Sequence, residues 1–126
     1  MIKEVYCSYE VAKLLKEKGF DESCYQKYDS DGELSFNHVG YINSEKPCDD
    51  FYALAPTHQM VMAWLREVHN IFIEISTSID LNGKYHFSYT ILDKECKYLR
   101  RGYTDFDWDY EDAVEYALKY ILNDVI

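Results

Sequence analysis

The sequence is short of basic charge: 13 Lys and Arg stand against 23 Asp and Glu, a formal net charge of -10. Holding a nucleic-acid backbone takes a cationic footprint that displaces phosphate counterions, so direct backbone binding is not expected. Anionic membrane surfaces are disfavoured for the same reason. Long apolar runs are also missing. No stretch approaches the roughly 20 apolar residues of a membrane span. The opening Met1-Ile2-Lys3-Glu4-Val5-Tyr6 lacks the apolar core of a signal peptide, so a cytoplasmic protein is expected. No Cys-x-x-Cys occurs among Cys7, Cys24, Cys48 and Cys96, which leaves zinc ribbons and thioredoxin-type sites without support. Free, mostly buried thiols are expected instead. There is no Gly-x-Ser-x-Gly elbow, phosphate-cradling glycine loop or His-Glu-x-x-His helix, and no cofactor is expected.

What is present suits a single domain over residues 1–126. The chain is 48% hydrophobic and 17% aromatic, with 13 tyrosines, and its length falls in the usual domain range of about 100–150 residues. Ser8 is a good N-cap, and Val11, Ala12, Leu14 and Leu15 follow at helical spacing until Gly19, which predicts a helix over 9–18. Thr57 caps a second helix over 58–69. There Met60, Val61, Trp64, Leu65 and Val68 fall within an arc of about 140°. A third helix over 110–123 starts at Asp109 or a near neighbour. It buries Val114, Ala117, Leu118, Ile121 and Leu122, with Glu115 and Lys119 as an i, i+4 pair. Ile71, Ile73 and Ile75 alternate into a strand. Asn82-Gly83 turns the chain back through Tyr85, Phe87, Tyr89 and Ile91, giving a central hairpin over about 71–92. A weaker strand is expected near 96–101. Residues 20–55 are hard to read: Tyr25 and Tyr28 suggest a short strand, Asp29-Ser30-Asp31-Gly32 a turn, and Leu34 with Phe36 a further strand. The expected class is α+β, a small antiparallel sheet with three helices packed mainly on one face.

Three stretches carry a resemblance. They are Tyr9-Glu10-Val11-Ala12-Lys13-Leu14-Leu15-Lys16-Glu17-Lys18-Gly19-Phe20; Pro56-Thr57-His58 with Trp64-Leu65-Arg66-Glu67 and His69-Asn70-Ile71; and Tyr110-Glu111-Asp112-Ala113-Val114 with Ala117-Leu118-Lys119. Together the chain resembles a family of small uncharacterised proteins from phages and mobile elements of gut anaerobes. That resemblance implies a bacterial cytoplasmic setting and no particular activity. Separately, with a third strand in place, residues 57–126 would share the α-β-β-β-α order of double-stranded-RNA-binding domains. The start of the last helix holds Glu111, Asp112 and Glu115 where such domains place lysines, so only the architecture would be shared.

Three functional readings follow. The first is a non-enzymatic protein-interaction module, binding a protein partner or itself. Tyrosines supply contact area at small entropic cost, and the patch expected is Tyr116, Tyr120 and Ala113, with Arg66 on the middle helix as a further contact. The second is an acidic nucleic-acid mimic that blocks a host DNA- or RNA-binding protein, motivated by the six carboxylates between 105 and 115. The third is a metal-dependent hydrolase using Asp105, Asp107 and Asp109. Their spacing is that of a calcium loop, but Tyr110 stands where the loop needs glycine and Tyr116 where it needs a bidentate Glu.

Overall fold

The computed structural model describes residues 2–44, 51–102 and 109–126, and at 37–39 and 51 the backbone alone. The order is α1 (Tyr9–Glu17), β1 (Cys24–Asp29), β2 (Leu34–Tyr41), β3 (Phe51–Leu54), α2 (His58–His69), β4 (Phe72–Ile79), β5 (Tyr85–Leu92), β6 (Tyr98–Gly102) and α3 (Tyr110–Tyr120). A π-helical segment, Ile121–Val125, continues α3. The class is α+β with small antiparallel sheets. The helices start where the caps foretell. Ser8 Oγ accepts the Val11 N–H at 3.2 Å, and Thr57 Oγ1 accepts that of Met60 at 3.2 Å. Asp109 and Asp112 exchange bonds in a full capping box.

The strands form two antiparallel sheets rather than one, ordered β2-β1-β3 and β4-β5-β6. The first comes from the segment that the sequence leaves hard to read. Its short β3 carries no strand signal of its own in the sequence, and β1 pairs irregularly on both sides. The second is a meander. Its third strand is present, so α2 to α3 does run α-β-β-β-α.

One turn recurs three times. Asp29, Asp80 and Asp93 each lead a hairpin loop and use Oδ1 to accept the N–H groups two and four residues on, at 2.8–3.0 Å. The fourth residue of each loop must take positive φ. It is Gly32 (φ 81°), Gly83 (φ 80°) and, in the third loop, Cys96 (φ 60°).

All three helices and both sheets contribute to one contiguous buried cluster. It includes Leu15 of α1, Leu65 of α2, Leu118 of α3, Leu54 of β3 and Ile91 of β5. The α3 face is as expected: Val114, Ala117, Leu118, Ile121 and Leu122 are all buried. The α2 stripe is narrower than the sequence indicates. Val61, Trp64 and Leu65 are buried, whereas Met60 and Val68 are exposed and Met62 packs against the core instead. The neighbours of α2 meet it along the Trp64 side, where the Phe20 ring contacts Trp64 edge-on at 5.3 Å.

Candidate functional site

The N-terminal segment fixes where α1 and α2 begin. Cys7 N–H bonds to Pro56 O and His58 N–H to Val5 O, both at 2.9 Å, around a bridge between Tyr6 and Thr57. The starts of two helices are thereby held together, and Glu115 of α3 reaches into them. Its carboxylate accepts the Ser8 N–H (2.8 Å), the Ser8 hydroxyl (2.8 Å) and His58 Nε2–H (2.8 Å). A capping box normally takes its acid from the third helical residue. In α1 that residue is Val11, and Glu115, 107 positions from Ser8, does the work instead. Burial raises the Glu115 carboxyl, but the bonds from His58 and Ser8 outweigh it and hold the group below the ordinary glutamate value. The expected Glu115–Lys119 pair does not form: Lys119 Nζ instead meets Glu10 at 3.1 Å, tying α3 to α1.

The groups around this cluster are chemically quiet. Burial raises the Cys7 thiol, and the Glu115 charge adds to the rise. Cys24 is pushed up to about 12, chiefly by burial. Tyr28, whose hydroxyl donates to Cys7 O at 2.6 Å, is also raised to about 12 by burial and by Cys7 and Glu115. His58 Nδ1 is buried without a hydrogen-bond partner among the described residues. A groove of about 370 Å³ runs past His58, between Lys3, Glu4, Tyr110 and Glu111. Ser8 and His58 both bond the carboxylate and not each other, so the Ser8 hydroxyl is not set for activation by the His58 imidazole.

The residues expected to act are dispersed. Ala113 is fully buried and offers no surface, because α3 packs with this side against the core. Tyr120 is half-buried against the core, with the Arg100 guanidinium 4.6 Å from its ring centroid. Tyr116 is exposed, with Lys119 Nζ 5.8 Å from its ring centroid. Arg66 is exposed on a different helix, α2. Asp105 and Asp107 lie outside the described residues. Asp109 is engaged as the α3 cap, its carboxylate accepting the Asp112 N–H at 2.8 Å. Among the described residues no three His, Cys, Asp or Glu side chains are grouped to hold a metal ion. None of their helices is long and apolar enough to cross a membrane.

A different feature is the outer edge of β4, at the end of its sheet. Asp80 N–H bonds to Lys84 O at 2.9 Å where the β4–β5 hairpin closes. Bonded and non-bonded pairs alternate along an antiparallel ladder. The register runs unbroken from Ile79 opposite Tyr85 to Phe72 opposite Leu92. Phe72, Glu74, Ser76 and Ser78 therefore bond to β5. Ile73, Ile75, Thr77 and Ile79 turn their N–H and C=O groups the other way. Among the described residues no strand lies on that side and no hydrogen bond is directed to those backbone groups. Sheet edges are usually guarded by lysine, proline, a bulge or shortness. The β4 edge has eight residues, no lysine or proline, no bulge and one charge, Glu74. By contrast β6 is five residues long with Arg100 and Arg101, and β3 has four.

Comparison with known protein families, with curated proteins and with solved structures finds no match to this chain.

Proposed function

We propose that the protein is a non-enzymatic protein-interaction module that takes up an extended strand along the outer edge of β4. The row of outward backbone groups at Ile73, Ile75, Thr77 and Ile79 carries this reading. Main-chain bonds along such an edge supply affinity, and the alternating side chains supply selectivity. The strongest polar cluster, Glu115 with Ser8 and His58, is used internally to hold three helices together. The resemblance to phage and mobile-element proteins adds a setting for the reading, the bacterial cytoplasm.

The acidic-mimic reading has less support. Within the 105–115 run, Asp109 and Asp112 bond each other's backbone and Glu115 points into the cluster. The hydrolase reading rests on Asp105 and Asp107, outside the described residues, and on an Asp109 already engaged as a cap.

Thr77→Pro tests the strand-uptake reading. Thr77 turns its N–H outward, so proline removes a donor that the β4–β5 ladder does not use, and edge strands tolerate it. A displayed library of short extended peptides, panned against dilute protein, is expected to yield binders on the parent and none on Thr77→Pro. Equal enrichment on both contradicts the reading.

A further inference from the structure

Resting on that reading, we infer that the strand taken up by β4 is β4 of a second copy, paired antiparallel about Ser76 into a six-stranded sheet. Outward-facing residues must meet outward-facing residues, which limits the registers. One candidate sets Glu74 opposite Glu74 of the second copy, and another sets Glu74 opposite Asp80. Like charges directly opposed are destabilising, and both registers are disfavoured. Two extensive registers remain. In the first, Ile75 lies on the two-fold axis and Ile71 would have to bond Ile79 of the second copy. The Ile71 N–H is already taken by Leu65 O at 3.1 Å.

In the second, Ser76 lies on the axis. Ile73 then bonds Ile79 of the second copy, and Ile75 bonds Thr77, twice each by symmetry. Every outward group of the strand is used, for about eight bonds. Glu74 faces Ser78 and Asp80 faces Phe72, so no carboxylate opposes another directly. Asp80 also holds His86 at 2.8 Å within its own hairpin. On the helix-covered face, Ile79 is 60% exposed in the single chain. It would lie against Ile73 of the second copy, which gives that exposed side chain an apolar cover. The pattern is self-complementary, as a two-fold interface requires.

The test is sedimentation of the full chain, with Cys48→Ser and Cys96→Ser in the background, over a wide concentration range. The parent is expected to dimerise reversibly. Thr77→Pro should weaken the dimer about tenfold or more, because symmetry makes one substitution remove two bonds. Should Thr77→Pro fail to fold, Ser78→Glu serves instead: it opposes two carboxylates on each side of the axis and is expected to weaken the dimer. Under mild oxidation Ser76→Cys should give a covalent dimer. A non-bonded pair sets Cα atoms about 4.5 Å apart, within disulfide range. Ser78→Cys, which would face Glu74, should not cross-link.

A dimer unmoved by Thr77→Pro or Ser78→Glu, with no Ser76→Cys cross-link, overturns the inference, since the interface then lies elsewhere. A chain that stays monomeric while a selected peptide protects the Ile75 and Thr77 amides overturns the second copy and leaves strand uptake standing. A monomer whose edge no peptide protects overturns both.

Discussion

Glu115 shows how one side chain can be both costly and necessary. Its carboxylate is largely buried, and three donors from Ser8 and His58 compensate the lost hydration. Removing it leaves the Ser8 N–H and the His58 Nε2–H without their acceptor. Hydrogen bonds to a charged group are worth about 1.5–3 kcal/mol, so Glu115→Ala is expected to destabilise by about 2–3 kcal/mol in urea unfolding. The pH dependence has a definite sign. The folded-state carboxyl sits below its ordinary value. Its stabilisation is thus full above the ordinary glutamate value and is lost as pH falls through the depressed one. Glu115→Gln should be less stable than the parent near neutrality and should lose less stability across that acidic window. A parallel pair of stability–pH curves would contradict the assignment. Nothing near Glu115 in the chain announces this role. Its neighbours suggest a surface residue paired with Lys119, and only the approach of three helices reveals Ser8 and His58.

At the scale of elements, whatever is encoded locally is legible. Ser8, Thr57 and Asp109 sit next to the helices they cap, and Asn82-Gly83 lies inside its own hairpin. The sheet over 24–54 is obscured because its exposed face is not polar: Tyr25 and Phe36 stack outward at 6.5 Å between centroids, so aromatic pattern and burial disagree. The Asp-led turn gives a test. Gly32 and Gly83 take the positive φ without strain, whereas Cys96 takes it at φ 60° with a side chain. Left-handed backbone costs a non-glycine residue about 1–2 kcal/mol, part of which glycine returns through its freer unfolded chain. Cys96→Gly is expected to stabilise by about 0.5–1 kcal/mol, and Gly83→Ala to destabilise by about 1–2 kcal/mol, read from thermal unfolding. If Cys96→Gly lowers the melting temperature, the three turns are not equivalent.

On the scale of the whole molecule, the proposed interaction surface is made of backbone rather than side chains. The abundance of tyrosine directs attention to Tyr116 and Tyr120, yet Ala113 beside them on the helix is buried and Tyr120 lies under Arg100. The open edge is hidden from sequence for a simple reason: a strand becomes an edge only once the sheet order is known. Within β4 itself, Ile73 and Ile75 read as the inward face of a strand, and both do pack against the core. Their backbones, facing outward along the sheet, are what a partner would meet. The central claim therefore rests on which amides of β4 are protected, and when. Residue-resolved hydrogen exchange over a wide range of protein concentration decides it. The account predicts that Ser76 and Ser78, bonded to β5, stay protected throughout. Ile75 and Thr77 should exchange quickly in dilute protein and become protected as concentration rises. Equally fast exchange of Ile75 and Thr77 at every concentration, with or without a bound peptide, would contradict it.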